Sequence, residues 1–275
     1  PRAALAPAGA SSGRHWSLRI WQPGDARQAA VYRFVITTLA RSRRHSLIVG
    51  AWLGIAVALV LAGVAGLGWD FRGTSIAQVD AVVLAAPLVL CFFLAVGLRH
   101  VFALPAEPRA SWLFRLSETE PAPQRLLAAR NVLIGHAVLP PLAMAGLLAL
   151  RFWGWRVALL HVAFSAGLML LLAQAMLYRF RKLPFTCAYV PGRANLKVWW
   201  SAYWLMFTIF AYGSAALERR LWASPELLLA LSAAGLVLAA AAAAAHRRWR
   251  SALAACQFED VPEVPVQALF AAGQD

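Results

Sequence analysis

Three side chains inside long apolar runs of this 275-residue chain carry an imidazole or an amide: His136, His161 and Gln174. An imidazole can ligate a metal, carry a proton or bond a backbone carbonyl, and an ionisable group in such a run is a functional candidate by default. The two histidines lie about four residues inside opposite ends of their runs, so at about 1.5 Å per helical residue most of a bilayer separates them. A metal site shared between them is not expected. His136 precedes Pro140-Pro141 by one turn. Those prolines release backbone carbonyls that imidazole or water can bond, and packing is the leading reading of this residue. His161 has Asp80 as its expected partner, and Gln174 is placed to bond across helices for roughly 1 kcal/mol or less.

No other catalytic constellation stands out. The chain has no GxxxxGK[ST], no HExxH, no GxSxG and no paired intramembrane aspartate. Cys91, Cys187 and Cys256 are widely spaced, with neither a CxxC nor a zinc-ligand pattern. Cys187 reads as a small buried residue, since nothing near it marks a nucleophile. The chain is therefore read as not an enzyme, with no cofactor, no metal and no catalytic residue.

The elements that must position the three polar residues follow from composition. Hydrophobic residues make up 61% of the chain, against about 45–50% apolar in a soluble domain. They gather in blocks near the length a bilayer needs. The expectation is an all-α, polytopic transmembrane helix bundle of six spans, at about 47–69, 81–98, 132–150, 157–178, 198–216 and 227–245. Lipid offers backbone amides no partner, so each span must be helical. Residues 1–45 read as an N-terminal lead with an interfacial amphipathic segment, in which Val31, Phe34, Val35 and Leu39 share a face. Residues 46–250 read as the six-span domain and 251–275 as an acidic tail. Gly50 and Gly54 form a GxxxG that permits close helix approach.

The net charge is +14, and 21 of the 26 Arg and Lys residues fall in alternate connections. That asymmetry predicts both termini, and the 99–131 and 179–197 connections, on the cytoplasmic side. The excess charge is thus read as topology and attraction to anionic lipid, not as a nucleic-acid surface. The chain starts at Pro1 and reads as a fragment or processed product. Arg far outnumbers Lys and Ala is abundant, as in a GC-rich bacterial genome, so the expected location is a bacterial inner membrane, multi-pass.

Residues 179–197, "RFRKLPFTCAYVPGRANLK", carry Arg179, Arg181, Lys182, Arg193 and Lys197 without a negative charge. Pro191-Gly192 suits the centre of a type II turn. Phe180, Phe185 and Tyr189 are placed to fold back on the membrane surface. A topological anchor and a partner-docking loop both remain open for this stretch. In the 99–131 connection, Trp112, Leu113, Phe114 and Leu116 lie between Pro108 and Pro121, which fits a short amphipathic helix.

"TTLARSRRH", "LPAEPRASWLFRLSE" and "RKLPFTCAYVPGRANLK" resemble segments of uncharacterised bacterial multi-span proteins, some of them grouped with ABC-2-type export permeases. The resemblance spans roughly residues 40–200. It implies both termini inside and a coupling helix in the loop after the second span. Arg109, Trp112, Leu113, Arg115 and Leu116 would then dock a separate ATP-binding cassette ATPase. A re-entrant outer segment before the last span, usual in that family, is not evident. The leading expectation is a permease-like subunit of an export system. The alternative is a non-transporting membrane scaffold or assembly factor. Expected partners are the lipid bilayer, the ATPase and like or unlike subunits of an oligomer.

Overall fold

The computed structural model describes residues 26–66, 80–104, 123–178, 180, 184–185 and 196–252. Among them the regular structure is entirely helical. In chain order the helices are α1 (Ala26–Arg41), α2 (Arg43–Ala65), α3 (Ala81–Phe102), α4 (Pro123–Leu133), α5 (Leu139–Trp153), α6 (Trp155–Leu177), α7 (Leu196–Thr208), α8 (Ser214–Leu221) and α9 (Pro225–Ala252). Single π turns, Ile134–Val138 and Ile209–Gly213, join α4 to α5 and α7 to α8. Five helical stretches are long and apolar enough to cross a membrane: Arg43–Ala65, Ala81–Phe102, Leu127–Trp153, Trp155–Leu177 and Pro225–Ala245. They coincide with five of the six expected spans. The region expected as the fifth, 198–216, lies in the continuous helix Leu196–Leu221, which is not one of these five. Its stretch from Trp199 to Trp204 is rich in Trp and Tyr, rings that favour the membrane interface rather than its middle.

α3 is the centre of the bundle. Asp80 starts it: its carboxylate accepts the Val82 amide at 3.0 Å, satisfying one of the orphan donors of the first turn. No charged residue follows until Arg99, so every face can pack. Of the most apolar 18 residues of α3, 61% are buried within the protein, against 11% for α2. α2 and α6 lie against α3, and α6 in turn carries α5 and α9. α7 docks on α3 through aromatic rings, with Phe93 and Phe207 centroids 4.9 Å apart and Phe92 and Phe207 5.4 Å apart. α2 turns Gly50 and Gly54 to open space, so that GxxxG makes no contact within the protein.

α1 covers the segment read as interfacial and amphipathic. Ser42, with extended backbone (φ −86, ψ 105), separates it from α2, and its buried Val31 and Val35 pack into the core largely against α4.

Two glycines set the geometry of α6. Gly154 links α5 to α6 with φ 84, a left-handed conformation that L side chains resist. Gly167 lets α6 and α9 approach backbone to backbone: a Cβ there would lie 3.2 Å from the Gly235 carbonyl carbon and 3.3 Å from the Leu236 nitrogen. Main chain cannot rotate away as a side chain can. Gly167→Ala is therefore expected to destabilise the bundle by about 1–3 kcal/mol. Unfolding of the purified protein in detergent checks this, and an unchanged midpoint would refute the close crossing.

Candidate functional site

The buried polar side chains concentrate on α6, which carries His161, Ser165 and Gln174 on faces turned into the protein. His161 and Ser165 are one turn apart and share a face. His161 Nδ1–H donates to Glu218 Oε1 of α8 at 2.8 Å, and the two side chains are 3% and 0% exposed. Asp80, the partner expected from sequence, is instead the cap of α3. Glu218 lies outside the five long apolar helices. Its second oxygen, Oε2, is buried and makes no hydrogen bond, and the same holds for Ser165 Oγ and Trp222 Nε1. Phe164, Leu221 and Leu228, with Leu160, Leu168 and Trp222, form the apolar packing of this region.

Glu218 is the residue that the sequence reading missed. "SAALERRL" places it beside Arg219 and Arg220, so it reads as part of a charged outer connection. The helix in fact runs on through the π turn to Leu221 and buries Glu218, leaving the two arginines exposed. A π turn carries five residues where an α turn carries four, which shifts the register of every side chain beyond it. The only trace in the sequence is a lone acid at the end of an aromatic helix.

His136 sits within the first π turn and donates from Nδ1–H to the Val132 carbonyl at 3.0 Å. That carbonyl is one turn before the histidine, not one of those released by Pro140 and Pro141. The imidazole thus supports the widened turn from its N-terminal side. Gln174 is 6% exposed on α6.

The stretch after α6 is anchored by aromatic rings. Phe180 packs on Phe102, with centroids 6.1 Å apart, and lies under the Arg99 guanidinium at 4.5 Å. Arg99 Nε–H also donates to the Met176 carbonyl at 3.0 Å, which ties the end of α3 to the end of α6. Phe185 is fully buried, meeting Phe34 of α1, His45 of α2 and Phe102 of α3, and its amide donates to the Phe102 carbonyl at 3.2 Å. Its backbone is left-handed, φ 67. Both rings therefore fold into the protein rather than onto the membrane surface. Arg179, Arg181, Lys182, Tyr189, Pro191, Gly192 and Arg193 lie outside the described residues, as do Arg109, Trp112, Leu113, Arg115 and Leu116. Lys197 is in the first turn of α7.

Chemically, the His161–Glu218 pair can hold or move a proton, and the Phe185 cluster can only hold helices together. No group of three or more potential metal-binding side chains occurs among the described residues. No family model, curated protein or solved structure matches this chain.

Proposed function

We propose that this chain is a permease-like subunit of an export system, working with a separate ATP-binding cassette ATPase at a bacterial inner membrane. The observation that carries the reading is the convergence of its basic connections. Phe185 joins α1, the start of α2 and the end of α3, so the segments before α2, after α3 and after α6 meet at one end of the bundle. The 1–45, 99–131 and 179–197 regions at this end hold 18 of the 26 Arg and Lys residues, which supports a cytoplasmic end. The 105–122 segment leaves α3 from that same end and carries the apolar and basic residues suited to an ATPase groove. In this reading Leu196–Leu221 supplies a sixth crossing and both termini are cytoplasmic.

Topology is the first test. Cysteines at Ser117 and Gly192 are expected to react only from the inside, and one at Arg156 from the outside. Arg156 is the outer probe, since the left-handed backbone at neighbouring Gly154 resists a side chain. Reaction of the Gly192 probe from outside would sink the orientation. Docking is the second test. Buried aromatic anchors dominate interfaces, so Trp112→Ala is expected to weaken ATPase binding by about 2 kcal/mol, and Arg115→Ala by less. Copurification at matched expression reads both. Recovery of no ATPase with the wild-type chain would replace the permease reading with that of a membrane scaffold.

A further inference from the structure

The His161–Glu218 pair has a consequence that stands whether or not an ATPase binds. Both side chains are withdrawn from solvent, and one carboxyl oxygen has no partner at all. A buried polar atom left unpaired is unusual enough to require a reason. Only the net-neutral state of such a pair is tolerable among apolar neighbours. That state holds one proton in common, either on the imidazole or on Glu218 Oε2, while His161 Nδ1–H bonds Oε1 in both forms.

Other charges do not compensate the pair. Asp80 is engaged at the cap of α3, whose Cys91, Arg99 and His100 lie towards or at its other end. Arg156 of α6 lies over the Trp155 ring at 5.4 Å. Arg219 and Arg220 of α8 and Glu226 of α9 are exposed, and Tyr212 of the π turn packs edge-on against Phe207 at 5.7 Å. α8 packs on α3 and α9, and the Glu218 bond ties it to His161 of α6. It is eight residues long, with the π turn Ile209–Gly213 before it and a short turn at Trp222–Ser224 after it. Such widened turns often mark functional positions in helices.

We propose that His161 and Glu218 form a proton-binding site, in which the pair holds one proton in common and its release loosens α8 from α6. Release leaves a single negative charge beside Phe164, Leu221 and Leu228, and hydrating that charge requires α8 to open. The sign follows: a carboxyl whose folded form favours protonation supports folding at low pH, and that support is lost as pH rises through its folded value.

The test uses the whole chain in lipid nanodiscs. Infrared titration is expected to show a neutral-carboxyl band that disappears with rising pH and is missing from Glu218→Gln. Amide exchange of α8, corrected for its intrinsic pH dependence, is expected to rise on the order of tenfold across the same interval in the wild type. Gln keeps an oxygen for His161 Nδ1–H but cannot release the proton, so Glu218→Gln should match the wild type at pH values where the wild type still holds its proton, and lose the rise. The proposal is overturned if neither a neutral-carboxyl band nor an imidazolium band titrates, or if α8 loosens with the same pH course in Glu218→Gln. The latter result would leave the pair as a structural clip. Neither measurement involves an ATPase, so failure here is distinct from failure of the permease reading.

Discussion

Phe185→Ala is expected to destabilise the protein by about 3–5 kcal/mol, the usual cost of removing a buried phenyl ring. The ring is 0% exposed and sits 5.1 Å from the His45 ring and 6.0 Å from Phe102, edge-on to both. Its loss releases α1, α2 and α3 from a common wedge. The backbone adds a second, separable effect. At φ 67 a side-chain-bearing residue is strained by about 1–2 kcal/mol, and glycine is not. Phe185→Gly loses the same ring but relieves that strain, so it should be less damaging than Phe185→Ala by about 1 kcal/mol. Unfolding in detergent gives the order wild type, Gly, Ala. If Ala proves the better tolerated, the strain account fails. Trypsin offers an independent readout. Arg179, Arg181 and Lys182 flank the wedge, and both variants should be cut there faster than the wild type.

That result bears on the basic stretch of residues 179–197. Its charges suggest an anchor held by anionic lipid, and its aromatics suggest rings lying on the membrane. The structure places Phe180 and Phe185 in the protein interior instead. Sequence could expose the rings but not their direction, because a loop has no period from which to read a face. The turn at Pro184-Phe185 depends on a left-handed residue that is not glycine, which no turn rule anticipates.

The helices were legible wherever apolar length alone decided them. "AVVLAAPLVLCFF" gives the span of α3, and five of six expected spans recur as long apolar helices. The candidate site was legible only in half. His161 stands out as an ionisable group in an apolar run, yet its partner comes from a helix that a π turn has re-registered. Asp80 was the nearer guess because topology put it at the same edge, and its carboxylate was claimed locally by the Val82 amide. Short-range satisfaction of a helix terminus thus decided which acid remained free to meet His161.

Breaking the pair from one side is the other large effect expected. His161→Ala leaves Glu218 buried with neither oxygen bonded, and removing one partner of a buried ion pair commonly costs about 3–5 kcal/mol. Protonation of the carboxyl limits that cost, so the loss should be smallest at low pH and grow as pH rises. The wild type, with the imidazole in place, should change less over the same range. Replacing both groups by apolar residues of similar size, as in His161→Leu with Glu218→Met, removes the desolvation cost along with the bond. The double variant should therefore be more stable than His161→Ala and close to the wild type. Unfolding midpoints in detergent at two pH values, for the wild type, His161→Ala and the double variant, test this. A His161→Ala variant as stable as the wild type at alkaline pH would mean that Glu218 finds another partner. A double variant that folds well but no longer shows pH-dependent exchange of α8 would show that the pair is kept for its proton and not for the strength of its bond.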